Sequence, residues 1–179
     1  MTLSKLSLRN ARRQARDYLV YFVTIVMSAA LIYAFNGLVF SQEIRRLSAA
    51  LEVMPLIIVL ASIVVVCIIG WLVQYTISFM LTRRGRELGT YILTGLENSQ
   101  VARLFFLENL AVGGIALLLG TILGNLIFQA LRAVMLTLFR APYTFRFSFS
   151  LNAVLLTIFY FALVYLFALF RSRRRIRTM

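Results

Sequence analysis

The sequence contains no histidine and a single cysteine, Cys67. Without histidine, histidine-ligated metal sites and acid–base catalysis by an imidazole are excluded. A lone cysteine excludes a disulfide bond within the chain. The chain also lacks a glycine-rich phosphate loop ending in Gly-Lys-Ser or Gly-Lys-Thr, so it is not itself an ATPase of the P-loop class. Scattered polar residues in apolar runs (Gln74, Ser78, Asn125) indicate packing hydrogen bonds rather than a catalytic pair, and we expect no enzyme.

Acidic residues are scarce as well, since 6 Asp and Glu stand against 19 Lys and Arg. In a soluble protein this excess would suggest a nucleic-acid partner. Here 61% of the residues are hydrophobic and the basic residues flank long apolar runs, which is the composition of a membrane protein. We therefore predict a bilayer environment and no nucleic-acid partner.

Four long apolar runs, three of them free of charge, are long enough to cross roughly 30 Å of hydrocarbon as helices. They predict an all-α membrane protein with spans at about 18–40, 53–82, 104–131 and 147–170. Residues 1–17 interleave basic and apolar side chains, as an amphipathic helix on the membrane surface does, although a disordered basic leader is the alternative. Residues 172–179 form a basic tail.

The distribution of basic residues predicts the orientation of these spans. With both termini inside, the short outer connections at 41–52 and 132–146 would hold few of the arginines. These outer residues are Arg45, Arg46, Arg132, Arg140 and Arg146. Because basic residues favour the cytosolic side, we predict that both termini and the connection between spans two and three are cytosolic.

That connection, residues 83–95, has the sequence RRGRELGTYILTG and predicts a short cytosolic helix. Leu88, Tyr91 and Ile92 share one stripe of such a helix, with Arg84 and Glu87 at its edge. Gly95 supplies the left-handed residue that commonly ends a helix. The stripe is an apolar anchor for a partner groove, and Arg83, Arg84, Arg86 and Glu87 are candidate polar contacts. Alternatively, the arginines only enforce topology and touch lipid headgroups.

Small residues recur on one face of the third span, at Gly113, Ala116, Gly120 and Gly124. This spacing lets two helices approach closely in lipid; the alternative is a helix that is merely rich in small residues. Glu108 lies at the inner edge of the same span. An acid at this position usually needs a partner, and we predict that Arg86 or an N-terminal arginine supplies it. The alternative is that the Glu108 side chain reaches the interface without a partner.

Three blocks of sequence carry a resemblance to a known family. The first is Leu8-Arg9-Asn10, Arg12-Arg13 and Asp17-Tyr18; the second is Arg83 to Gly89 with Thr94-Gly95; the third is Leu107-Glu108-Asn109-Leu110 with Gly120 and Gly124. In this order they resemble the FtsX-like, MacB-type permease domain of ABC transporters over 18–171. Within that family the pattern is similar to the N-terminal half of BceB-like, bacitracin-resistance permeases.

The resemblance implies a noncatalytic membrane subunit of the bacterial inner membrane. Its cytosolic helix would dock on a separate ATPase, present in two copies, which would hold ATP and magnesium. Closure of the ATPases would be relayed mechanically across the membrane, for export or resistance to antimicrobial peptides. The short 41–52 connection disfavours FtsX and MacB proper, which carry a large extracellular domain there.

The same resemblance implies that a second permease half, or a permease bearing a large extracellular domain, completes the assembly. Two alternatives stay open. One is an FtsX-like regulator that relays the state of an ATPase without transport. The other is a small membrane protein that oligomerises through the glycine face without an ATPase.

Overall fold

The computed structural model describes residues 3–41, 54–138 and 150–177. These residues form five α-helices and no strand, and four of the helices are long and apolar enough to cross a membrane. The helices are α1 (Leu3–Phe40), α2 (Met54–Arg83), α3 (Gly85–Leu93), α4 (Asn98–Leu138) and α5 (Leu151–Arg177). The predicted all-α membrane fold is confirmed.

Helix α1 runs from Leu3 to Phe40 without a break, so the basic segment and the first span are one helix. The side chains of residues 1–17 lie outside the described part of the chain. The prediction that this segment lies along the membrane surface therefore stays a prediction. The two connections between α1 and α2 and between α4 and α5 also lie mostly outside the described residues.

Helices α1 and α4 are parallel neighbours and form the most extensive contact in the bundle. Tyr21 meets Asn109 near one end, and Gly37 meets Phe128 near the other, so the two helices run in the same direction. Helix α5 packs antiparallel to α1, as shown by the bond between Asn36 and Thr157. Helix α2 runs beside α5 and is the least enclosed of the four long helices.

Helices α2 and α3 are joined through Arg84 alone, at one end of the bundle. We call this the α3 end: α2 finishes there, α4 begins there, and α5 finishes there. The Arg84 amide donates to the Met80 carbonyl, and the Leu88 amide donates to the Arg84 carbonyl, so hydrogen bonding continues across the junction. Helix α3 is therefore almost an extension of α2.

Gly95 ends α3 as the sequence predicts, with a φ of 97°. The Leu96 amide donates to the Tyr91 carbonyl, and the Gly95 amide donates to the Ile92 carbonyl. This pair of bonds is the Schellman motif, which satisfies carbonyls that the helix end would otherwise leave unpaired. The chain can then reverse direction within a few residues and enter α4.

The sequence prediction was wrong about Arg132, which it placed in an outer loop. Helix α4 continues to Leu138, and Arg132 lies within it with only 2% of its surface exposed. The reason is local: between Gly124 and Pro142 there is no glycine or proline to end the helix. Arg132 is not without an interaction partner, as a charge at this depth requires.

Candidate functional site

Helix α3 presents one apolar face inward and another outward. Leu88 is 7% exposed and packs into the core of the bundle, together with Met80 and Leu81 of α2. Leu93 is 87% exposed, and Tyr91 and Ile92 are also exposed. Of the three residues in the predicted stripe, Leu88 thus packs α3 against the helical bundle of the same chain. Tyr91 and Ile92 remain open, and Leu93, which the sequence argument did not select, extends the open surface.

Arg84 joins α3 to α4 through two ion pairs. Its Nε donates to the Glu87 Oε2 at 3.1 Å, and its Nη1 donates to the Glu108 Oε1 at 2.7 Å. Burial by itself lowers the pKa of Arg84, but the hydrogen bonds and charges of Glu108 and Glu87 outweigh it. The pKa of the guanidinium is therefore raised above its ordinary value, and Arg84 stays charged.

The prediction of Arg86 as the partner of Glu108 was therefore wrong, because Arg84 makes the pair. The N-terminal arginines, which were the other predicted partners, have side chains outside the described part of the chain. Helical spacing on α3 alone does not reveal this contact, since 24 residues separate Arg84 from Glu108 and the turn at Gly95 decides their approach. Arg86 is exposed. Arg83 lies over the ring of Phe79, with its guanidinium carbon 5.0 Å from the ring centroid.

A groove of about 640 Å³ opens beside the Arg84–Glu108 pair. Its floor and walls come from α1, α2 and α4, and its charged rim comes from the α3 end. The lining residues are Tyr18, Leu19, Phe22, Met80, Arg84, Glu87, Glu108, Val112 and Ile115. The ion pairs thus lie at the boundary between the apolar bundle and the exposed face of α3.

The four small residues of the third span are all buried in α4. A Cβ added at Gly120 would lie 2.5 Å from the Ala29 Cβ and 2.8 Å from the Val26 carbonyl oxygen. One added at Gly124 would lie 2.7 Å from the Ala30 carbonyl oxygen. Gly120 and Gly124 therefore let α4 touch the backbone of α1. Gly113 faces α5 instead, against the ring of Tyr165.

A buried polar cluster that sequence reasoning missed ties three helices together. The Tyr21 hydroxyl donates to the Asn109 Oδ1 at 2.6 Å, and the Tyr165 hydroxyl donates to the Asn109 carbonyl at 2.7 Å. The two hydroxyl oxygens are 2.9 Å apart. The signal available was Asn109 at the start of an apolar run, because a buried amide needs partners.

Within the described segments, no group of three or more His, Cys, Asp or Glu side chains could hold a metal ion. Glu87 and Glu108 are instead engaged with Arg84. The arrangement is an exposed apolar face on α3, held to the bundle by Leu88 and by the Arg84 ion pairs.

A model of the family described as FtsX-like permease C-terminal matches residues 59–179, which include α3 and the glycines of α4. The chain belongs to the FtsX-like permease family. The resemblance predicted from the three sequence blocks is confirmed.

This FtsX-like permease chain is also similar to two curated proteins named bacitracin export permease protein BceB. It is 25% identical to that of Bacillus subtilis over 166 residues, which are 93% of this chain and 26% of that protein. It is 26% identical to that of Halalkalibacterium halodurans over 171 residues, which are 92% of this chain and 25% of that protein. The permease chain thus spans about a quarter of the length of these relatives.

Proposed function

We propose that the chain is the noncatalytic permease part of an ABC transporter, driven by a separate ATPase subunit that binds at α3. The observation that carries this is the geometry of α3. The helix lies outside the apolar part of the bundle, it is anchored by Leu88 and Arg84, and it turns Tyr91, Ile92 and Leu93 outward. Exposed apolar side chains on a rigid helix are suited to a groove on a partner.

The same geometry supports a mechanical role. Arg84 connects α3 directly to Glu108 of α4, and α4 is bound along its length to α1. Displacement of α3 by an ATPase would therefore be passed to both long helices. We propose that ATP and magnesium bind to the partner, that two ATPase copies act in the complex, and that the opposite end carries the motion outward.

The names of the relatives suggest the process served. Both are bacitracin export permeases, so we propose export of, or resistance to, antimicrobial peptides. Because the relatives are about four times longer, a second permease half or a permease bearing a large extracellular domain is the expected partner. The basic α3 end favours an inner-membrane protein with both termini in the cytosol.

Co-purification of the tagged chain in mild detergent tests the proposal. We expect wild type to recover a protein containing the Gly-Lys-Ser/Thr phosphate loop, and Leu93→Asp to lose it by more than tenfold, because a charge replaces an apolar anchor. The control is Leu138→Asp, a similarly exposed position (74%) at the opposite end of α4, which should recover the ATPase as wild type does.

Leu93 is chosen for substitution because its side chain is exposed, so that a change there leaves the fold intact. Leu88 and Glu87 contact the chain itself, so their substitution would confound binding with stability. Equal recovery of an ATPase by wild type and Leu93→Asp would overturn α3 as the docking helix. Recovery of no ATPase from the native host by wild type would overturn the ABC function as well.

A further inference from the structure

A second cavity, of about 300 Å³, lies between α2 and α5 at the α3 end of the bundle. It is separate from the groove at Arg84, and none of the residues argued to hold α3 lines it. The lining consists of Gln74, Ser78, Leu81, Arg171 and Ser172. Four of the five are polar or charged, which is unusual at the end of two apolar spans.

Two polar atoms at this cavity have no hydrogen-bond partner in the part of the chain that the structure describes. The Ser172 Oγ is one, in a residue that is only 3% exposed. The Gln74 Oε1 is the other, because the Gln74 amide nitrogen is directed to the Ser78 Oγ at 3.4 Å. Burying an unpaired polar atom is unfavourable, so the cavity suits a polar occupant.

The charges at the cavity favour an anion. Arg171 is exposed at its rim, and none of the described lining residues carries a carboxylate. Arg173 and Arg174 follow directly, although the Arg173 guanidinium is turned over the ring of Phe106 on α4. An arginine beside a serine hydroxyl suits a phosphate, whose oxygens accept charge-assisted hydrogen bonds.

The unpaired Gln74 oxygen restricts the ligand further, because it requires a donor. A hydroxyl on the group attached to the phosphate supplies one without adding positive charge. An ammonium would also donate, but it would approach Arg171 with no carboxylate in the lining to offset the repulsion. A glycerol phosphate headgroup has both the anion and the hydroxyl donors.

The surface next to the cavity indicates that this headgroup belongs to a lipid. Leu163 and Phe167 precede Arg171 at intervals of four residues, so the three share one stripe of α5. Leu163 and Phe167 are both exposed along the apolar span. The acyl chain of a lipid can lie on this stripe while the phosphate of the same lipid contacts Arg171. Basic residues at the ends of spans commonly bind lipid headgroups in this way.

We propose that this cavity binds the headgroup of an anionic glycerophospholipid of the phosphatidylglycerol kind, with Arg171 holding the phosphate and Gln74 and Ser172 holding the glycerol hydroxyls. The bound lipid would wedge α2 against α5 beside the helix that carries α3. It would thereby stabilise the end of α2 at a place separate from the Arg84 ion pairs.

Native mass spectrometry of the full chain tests this, after incubation with equal amounts of phosphatidylglycerol, phosphatidylethanolamine and phosphatidylcholine of the same acyl chains. We expect preferential retention of phosphatidylglycerol. Arg171→Gln should weaken its retention about tenfold, as loss of a charge-assisted hydrogen bond does, and Ser172→Ala should weaken it by a smaller factor. Arg171→Lys should restore part of the preference.

The matched control is Arg103→Gln, which removes an exposed arginine at the same end of the bundle from α4. It should retain phosphatidylglycerol as wild type does. Equal retention of the three lipids, or equal losses for Arg171→Gln and Arg103→Gln, would overturn the site. A competition arm with soluble glycerol 3-phosphate identifies the source: displacement of the lipid at matched concentration would show a free-anion site instead.

Discussion

Arg84 is the residue at which the candidate docking surface and the membrane bundle meet. Its guanidinium reaches an acid on α3 and an acid on α4 at once, and its backbone continues the hydrogen bonding of α2 into α3. The pair with Glu108 is only partly shielded, with side chains 20% and 38% exposed. Its energetic contribution is therefore modest, while its effect on the orientation of α3 is direct.

Replacing Arg84 by Gln should lower the free energy of unfolding by about 1 kcal/mol, since a partly exposed ion pair is screened by solvent. In a double-mutant cycle with Glu108→Gln, most of that loss should disappear, because the pair is then already broken. Thermal unfolding in detergent measures both. Arg86→Gln, which alters an exposed neighbour, is the control, and an equal loss in the two arginine variants would contradict a specific pair.

Gly120 and Gly114 form a second matched pair on α4. Gly120→Ala should destabilise the fold by about 1–3 kcal/mol, because the new methyl group meets α1 and the helices must separate. Gly114→Ala meets nothing within 4 Å and should be neutral or stabilise by up to about 1 kcal/mol. Thermal unfolding of the two variants provides the comparison. Equal stabilities would exclude close packing at Gly120.

At this scale the sequence predicted some positions and missed others for a physical reason. The roles of Gly95 and of the glycines of α4 could be predicted from local rules. These are the left-handed residue that ends a helix and the spacing of small residues along one helix face. The Arg84–Glu108 pair and the contact of Tyr21 with Asn109 join residues far apart in the chain. Without the three-dimensional path of the chain, neither partner is determined.

Helix α3 is the element on which the proposed function depends, and its two ends are fixed differently. The start is continuous with α2 through Arg84, while the finish depends on the Schellman turn at Gly95. Between them the helix contacts the bundle mainly through Leu88. The existence and limits of α3 were predictable from composition and Gly95, but the division of its stripe into a buried and an exposed part was not, because it depends on packing.

Gly95→Ala should loosen the end of α3, because an alanine in the left-handed region costs about 1 kcal/mol. Hydrogen exchange at the Gly95-position and Leu96 amides should accelerate about fivefold, as their bonds to Ile92 and Tyr91 weaken. Gly89→Ala is the control within the helix, where nothing lies within 4 Å, and it should slow exchange in α3. Unchanged exchange in Gly95→Ala would show that the turn does not limit α3.

The whole molecule exposes large apolar surfaces that its own four long helices do not cover, most of all on α2. Lipid and the proposed second permease part are the surroundings that such a surface requires. The number and order of the spans were predictable from charge-free runs, because length and hydropathy decide them. The extension of α4 to Leu138 was not, because a single arginine was taken for the end of the helix.

The orientation predicted from the basic residues can be tested on the intact chain with Cys67 replaced by serine. A cysteine at Leu93 should react with a membrane-impermeant maleimide only after the cells are opened, because the α3 end is proposed to face the cytosol. A cysteine at Leu138 should react in intact cells. The opposite pattern would reverse the topology, and with it the side from which an ATPase could reach α3.

The length of α4 determines how far one end of the helix would move when the helix tilts. With 41 residues at 1.5 Å each, the helix is about 60 Å long, roughly twice the hydrocarbon thickness. Because Gly120 and Gly124 bring it against the backbone of α1, a tilt of α4 in the proposed mechanism would carry α1 with it. A tilt of only about 5° then carries the far tip through about 5 Å, the rise of one helical turn.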